Sequence, residues 1–306
     1  MVVDAHCHLA PELPAAELVR VMDGAGVTQT VLVARTVDPL PSPGPAFLSP
    51  VGPAGRLRYV NLVQDGLVRA GGRVLPVVGR PDNEAVASAV AAYPDRFIAL
   101  ASVNPRLPGC LAEIDRCFNR GFRGVKVHAW HHDVDLARDL PPVAGRCAEA
   151  GLPILLHLGG SRRTGLALLE LLDRFPTVNF IAAHAGLPYH RALWTAARSY
   201  ANLYFDLAGP HISPELARLM ARSVPPGRVL FASGGPDGLR DAGGGHSYSR
   251  PRRCAEEYLG PSPGRQARDA VLGGNLLRLV RLARPTDHWS AAAGNPGGRY
   301  SSSPGR

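Results

Sequence analysis

Two histidines near the start of the chain, His6 and His8 in the run Asp4-Ala5-His6-Cys7-His8, are spaced for metal chemistry. In a β-strand, residues i and i+2 point to the same face, so a strand over residues 2–8 would aim both imidazoles one way. Imidazole is the commonest protein ligand for divalent metals, and two on one face make half of a site. The pair alone is a weak signal, because His-x-His also arises by chance on surfaces and in satisfied cores. It gains weight from His157 and His184, which end the apolar runs Pro153-Ile154-Leu155-Leu156-His157 and Phe180-Ile181-Ala182-Ala183-His184. Either one alone reads as a buried neutral histidine bonded to backbone. The set reads as a metal centre.

The elements that must position these groups follow a repeat. Short apolar runs alternate with amphipathic stretches along the chain, the pattern of strand-helix units around a parallel sheet. Strands are expected near residues 2–8, 28–34, 96–103, 123–128, 153–157, 178–184, 202–206 and 228–233. Helices are expected near 14–25, 83–93, 109–120, 141–150, 162–174, 188–199, 213–222 and 265–282. Ser161, Ser213-Pro214 and Pro141-Pro142 supply helix starts, and Gly24, Gly26, Gly121 and Gly151 mark helix-to-strand turns. Eight units predict an α/β fold, a (β/α)₈ TIM barrel forming one domain over residues 1–284. Residues 36–80 form a long Pro/Gly-rich insertion after the second strand, a loop of a length that implies a lid, a binding segment or disorder. The polar tail 285–306 is expected to be disordered.

Composition narrows the function classes. The chain has 306 residues, 45% hydrophobic, enough for one large α/β domain or two modest ones. No run approaches the ~18 uninterrupted apolar residues of a membrane helix. Five cysteines without paired zinc-ribbon spacing read as reduced thiols, and no N-terminal signal pattern stands out, so a soluble, cytoplasmic protein is expected. The net charge of +9 is scattered apart from Arg250-Pro251-Arg252-Arg253, with no basic helical stripe and no aromatic interleaving. That argues against nucleic acid and for a small, anionic substrate. A homodimer is compatible with all of this.

A barrel of this kind carries its active site at the C-terminal ends of its strands. His6 and His8 would end the first strand, Lys126 and His128 the fourth, His157 the fifth, His184 the sixth and Asp206 the seventh. Lys126 is the only lysine in the chain; the other 33 basic side chains are arginine. Standing two residues before His128, it shares that residue's strand face and reads as inward. It is expected to bind a substrate anion with His128 beside it. Asp206 reads by default as a structural hydrogen-bonding residue. His131 and His132, on the following loop, have two readings, lining the pocket or, by default, facing solvent.

The chain resembles the amidohydrolase superfamily, in the amidohydrolase-related (amidohydrolase 2-like) branch of metal-dependent hydrolases and decarboxylases. The motifs are Asp4-Ala5-His6-Cys7-His8, Gly121-Phe122-Arg123-Gly124-Val125-Lys126-Val127-His128, the two His-terminated runs with Ala185-Gly186 after the second, and Gly273-Gly274-Asn275-Leu276-Leu277-Arg278-Leu279. They cover nearly everything from Val2 to Leu282. The resemblance implies His6, His8 and His157 as metal ligands and His184 as general acid/base or ligand to the attacking water. It also offers a second role for Lys126, carbamylated and bridging two metals, which ranks below anion binding. One departure stands out. Where the family places an aspartate in a Gly-Ser-Asp-x-Pro stretch, this chain reads Ala232-Ser233-Gly234-Gly235-Pro236, with Asp237 three residues beyond Gly234.

A His₃ set with an open position holds zinc and lowers the pKa of bound water to about 7. The expected cofactor is therefore one divalent metal ion, Zn²⁺ first. The expected function is metal-dependent hydrolysis of an ester, lactone or amide bond. A decarboxylase of an unsaturated or aromatic carboxylic acid, and a catalytically impaired barrel that binds a ligand or partner, are the alternatives.

Overall fold

The computed structural model describes residues 1–37, 62–64, 66–70, 73–159 and 162–281. Strands β1 (Val3–His8) and β2 (Gln29–Val33) are followed by a small antiparallel meander of β3 (Leu62–Gln64), β4 (Leu67–Ala70) and β5 (Arg73–Pro76). The remaining strands are β6 (Phe97–Ala99), β7 (Ala101–Val103), β8 (Val125–His128), β9 (Ile154–His157), β10 (Phe180–Ala182), β11 (Leu203–Asp206) and β12 (Val229–Leu230). Pairing is parallel through β1-β2-β6 and through β7-β8-β9-β10-β11-β12. Segments β6 and β7 are two halves of one barrel strand interrupted at Leu100. The ring closes where Ala5 N donates to Phe231 O (2.9 Å) and His8 N to Gly235 O (2.8 Å). The expected eight-stranded TIM barrel is present.

The first strand departs from simple alternation in a way that matters for the site. Asp4 pairs with Thr30 and Cys7 with Leu32, so three steps along β1 match two along β2. The extra residue is a β-bulge, a device common at barrel rims and beside active sites. Val3 and Ala5 pack inside the barrel with Val31 and Val33, whereas Cys7 and Leu32 face the helix layer. Across the bulge the phase changes, and His6 and His8 both turn inward.

Helices form where the sequence supplies a buried stripe and an end signal. Helix α1 (Ala15–Ala25) buries Leu18 and Met22 and stops at Gly26, left-handed at φ 63°, whose N–H reaches Asp23 O and Met22 O. Helices α2 (Asn83–Ala92), α3 (Cys110–Asn119) and α4 (Leu136–Asp139) follow, then α5 (Pro141–Ala150), which starts on the Pro pair. After α6 (Arg162–Arg174) and α7 (His190–Ala196), helix α8 (Pro214–Met220) is capped by Ser213 Oγ, which accepts from Leu216 N at 3.2 Å. Helix α9 (Ser249–Leu259) was not expected. It buries Pro251, Cys254, Ala255 and Tyr258 on one face of an otherwise polar, Arg-rich segment.

The helix expected over 265–282 is broken into α10 (Arg265–Asp269), a π-turn over Ala270–Gly274 and α11 (Asn275–Val280). The break has a packing cause. A Cβ at Gly273 would lie 2.9 Å from Val3 Cγ2, and Asn275 Nδ2 donates to both Pro226 O and Val229 O at 2.7 Å. Leu276, Leu279 and Val280 thereby plug the barrel floor. Within the insertion, the meander replaces the plain loop expected there, and Val68 and Leu75 pack on Val37. Residues 38–61 and the tail 285–306 lie outside the described residues. No helix among the described residues is long and apolar enough to cross a membrane.

Candidate functional site

At the C-terminal rim, four imidazoles and one amine converge. His6 Nε2 lies 3.1 Å from His8 Nε2 and 3.2 Å from Lys126 Nζ. On the other side, His184 Nε2 lies 2.9 Å from His157 Nδ1. The two pairs face each other, with the His6 and His184 ring centroids 5.4 Å apart.

Partners fix the tautomers. Asp206 Oδ2 can only accept, so His6 Nδ1, 2.9 Å away, carries the proton and its Nε2 offers a lone pair. His184 Nδ1 faces Ala208 O at 2.9 Å and must donate; its Nε2 therefore accepts from His157 Nδ1–H. His128 Nδ1 accepts from the backbone N–H of His131 at 3.0 Å, which puts its proton on Nε2. The His128 ring is held between those of His131 and His157, at centroid distances of 3.5 and 3.8 Å.

Asp206 is wholly buried and uses both oxygens. Oδ2 serves His6; Oδ1 accepts from His184 N at 2.6 Å and Ala208 N at 3.1 Å. It is the structural residue expected, and more specific than that default. His184 and Ala185 both sit at φ 55°, a left-handed conformation costing about 1–3 kcal/mol per residue that clusters at functional sites. The Asp206 bond to His184 N and a 2.8 Å bond from Trp194 Nε1 to Ala185 O hold that turn.

Burial sets the charges. It drives the His6 pKa down to about 3, with Lys126 adding to the effect and Asp206 opposing it. His8, His128 and His157 are pushed well below the usual histidine value, by burial first and then by neighbouring histidines. Lys126 falls to about 7 because burial outweighs Asp206. Burial works to raise Asp206, but His6 and the other neighbours overcome it and hold it at about 2. Neutral imidazoles are thus gathered around one carboxylate and one amine whose proton is loosely held.

The donor set fits a divalent ion at one pair. Two nitrogens at 2.0–2.1 Å from one ion lie about 3.3 Å apart in tetrahedral geometry and about 3.0 Å apart in octahedral geometry. The His6–His8 separation of 3.1 Å falls between. His8 Nδ1 is buried without a hydrogen-bond partner, which leaves Nε2 as the nitrogen with a function to serve. His157, the third expected ligand, is joined to His184 and not to this pair. Among the described residues no three His, Cys, Asp or Glu side chains already surround one point.

The rest of the rim bears on the departure at Gly234 and corrects the default reading of His131 and His132. Gly234 adopts φ 64°, and a Cβ there would lie 2.4 Å from Gly209 N, so a carboxylate at this position has neither the backbone nor the room. Asp237 does not reach back toward the histidines. Its Oδ2 lies 3.9 Å from Arg35 Nη2 and its Oδ1 3.5 Å from Arg240 Nε. His131 and His132 are buried, with His131 Nδ1 2.6 Å from Thr36 Oγ1 and His132 Nε2 donating to Val78 O at 3.1 Å. Sequence reasoning missed Arg35, a side chain 4% exposed that pairs with Glu12 at 2.7 Å. The available signal was its place two residues after inward-facing Val33, lost among so many arginines.

Comparison with known proteins bears on the family and the fold. The amidohydrolase family profile matches residues 3–282. No curated protein sequence matches the chain. Among solved structures, 4-oxalomesaconate hydratase from Rhodopseudomonas palustris is similar at 18% identity, covering 92% of this chain and 95% of its own, with a TM-score of 0.59. The 2,6-dihydroxybenzoate decarboxylase from Rhizobium is similar at 16% identity over 91% of this chain and 98% of its own, TM-score 0.58. So is 5-carboxyvanillate decarboxylase from Novosphingobium aromaticivorans with manganese bound, at 15% identity over 92% and 97%, TM-score 0.58. These likenesses speak to the barrel; the family match spans nearly the whole chain. The chain belongs to the amidohydrolase family.

Proposed function

We propose that this protein is a metal-dependent hydrolase acting on an ester, lactone or amide bond of a small anionic substrate. The observation that carries the reading is the His6 Nε2–His8 Nε2 separation of 3.1 Å inside the barrel rim. His6, His8 and His157 would hold one divalent ion, with zinc the first candidate for a set of neutral nitrogens. When bound, such an ion supplies an activated water and polarises the scissile carbonyl.

The chain's own residues do the rest. Lys126 Nζ, beside His6, holds the substrate's anionic group as a point charge, and His128 Nε2–H donates a hydrogen bond into the same space. Were His157 turned to the ion, the His184 Nε2 lone pair that now accepts from it would be free to take the proton during attack and return it to the leaving group. Trp130 and His131 lie beside His157, with ring centroids 6.4 and 6.2 Å from it.

A decarboxylase of an unsaturated or aromatic carboxylic acid is the second reading. It is favoured by the buried Lys126, placed to hold a carboxylate, and by the named activities of two of the similar structures. One experiment separates the readings. Protein purified without chelators is assayed for metal content, then offered small lactones, esters and aromatic acids while carbon dioxide is monitored. About one ion per chain, lost in His6→Ala/His8→Ala, with bond hydrolysis and no gas, supports the hydrolase. Carbon dioxide release supports the decarboxylase. A chain that binds no metal is a ligand-binding barrel.

A further inference from the structure

Gly234 leaves the rim without the carboxylate its sequence context calls for, and the structure shows what fills that space. A Cβ on Gly234 would meet Gly209 N at 2.4 Å, Gly209 Cα at 2.6 Å and the Ala208 carbonyl carbon at 3.2 Å. The chain leaving β11 has moved in. Gly209 N donates to Ser233 O at 2.9 Å, and Gly209 lies so close to His184 that a Cβ there would meet its Nδ1 at 2.9 Å. The same segment begins at Asp206, a fully buried carboxylate within hydrogen-bond distance of His6 Nδ1.

We propose that Asp206 supplies, through His6, the negative charge that position 234 cannot provide, and so acts as a positioning residue for the metal-binding pair. The inference rests on the metal-dependent reading above. The geometry allows no direct role, because both Asp206 oxygens are already committed to His6 Nδ1 and to two backbone N–H groups. It does allow an indirect one. A carboxylate accepting the Nδ1 proton fixes the ring's orientation, aims Nε2 inward and makes that nitrogen a stronger donor. Because Oδ1 also holds His184 N, one side chain registers the two halves of the site against each other.

The test is zinc affinity, measured by competition with a chromophoric chelator, for the unaltered chain, Asp206→Asn, His6→Ala and the double variant. Asp206→Asn is expected to bind zinc about 10–100-fold more weakly, the usual cost of losing such an outer partner. The double variant is expected to bind no more weakly than His6→Ala, because Asp206 acts through His6. Penalties that multiply, or an Asp206→Asn affinity equal to the parent's, overturn the proposal. Nitrogen-15 NMR of the unaltered, metal-free chain gives a readout independent of whether the variant folds. His6 is expected as the Nδ1–H tautomer, and the Nε2–H tautomer overturns the inference while leaving the metal reading in place. A parent chain without zinc affinity overturns the metal reading and this charge role with it.

Discussion

His157 and His184 share one proton: the Nδ1–H of His157 points at the Nε2 lone pair of His184, 2.9 Å away, while His184 Nδ1 is committed to Ala208 O. The two rings therefore cannot have the same function. His157→Ala is expected to weaken zinc binding by more than the about 10–100-fold of an outer-shell change. His184→Ala is expected to leave zinc affinity near the parent's and to cut turnover by about 10²–10⁴-fold. Titration with a chelator alongside turnover measurements checks both. A His184→Ala protein that loses its metal would make His184 a ligand.

Lys126→Met is expected to raise KM for an anionic substrate while the metal content stays the same. The methionine keeps the apolar stem packed inside the barrel and removes only the amine 3.2 Å from His6. Elemental analysis beside steady-state kinetics decides. Metal loss in the variant would instead indicate a carbamylated lysine.

Gly234→Asp, which would restore the residue the motif calls for, is expected to destabilise the protein by about 1–3 kcal/mol or more, from left-handed backbone and from overpacking against Gly209. It should weaken zinc binding as well, since Gly234 N donates to His6 O at 2.7 Å and any shift moves β1. Urea unfolding and chelator competition measure the two effects. Tighter zinc binding at unchanged stability would contradict the steric account.

Asp237→Asn is expected to leave zinc binding untouched. Its contacts to Arg35 and Arg240 are long, at 3.9 and 3.5 Å, so the stability loss should sit nearer the about 1 kcal/mol of exposed pairs than the ~3–5 kcal/mol of tight buried ones. Denaturant titration of the variant checks it.

Acid should weaken the metal-free protein through its buried histidines. His131 is lowered to about 3, by burial first and then by His132 and Lys126, whereas the unfolded chain binds that proton near pH 6.5. Between those values the unfolded state holds the extra proton, so stability is lost as pH falls from about 6.5 toward 3. Replacing His131 with Gln should flatten the stability–pH slope in that window by about 1.4 kcal/mol per pH unit. Urea midpoints at several pH values supply the slope.

Much of this was legible in the sequence, for a physical reason. A parallel strand buried on both faces must be a short apolar run, and a ligand at its C-terminal end must be the polar residue that terminates it. His8, His128, His157 and Asp206 end their strands, His184 lies two residues beyond β10, and His6 and Lys126 stand two residues before a strand-ending histidine. Less legible was anything set by how segments approach one another. Nothing local announces that Gly209 occupies the space beside Gly234, or that Arg35 faces the interior. Helix α9 was hidden because its buried stripe of Pro251, Cys254, Ala255 and Tyr258 is embedded among arginines and follows a glycine-rich turn. The meander was hidden because glycine and proline around it read as loop.

The bulge in β1 separates two demands that one strand would otherwise have to reconcile. Below it, Val3 and Ala5 keep the apolar phase of the barrel floor; above it, His6 and His8 take the opposite parity and still face the axis. The extra residue works as a phase switch, so the packing code of the floor and the chemical code of the rim can change independently. Deleting Ala5 would remove that freedom. With the extra residue gone, Val3, His6 and His8 would fall on one face by plain alternation, at the cost of the place Ala5 takes beside Val31 and Val33 in the barrel floor.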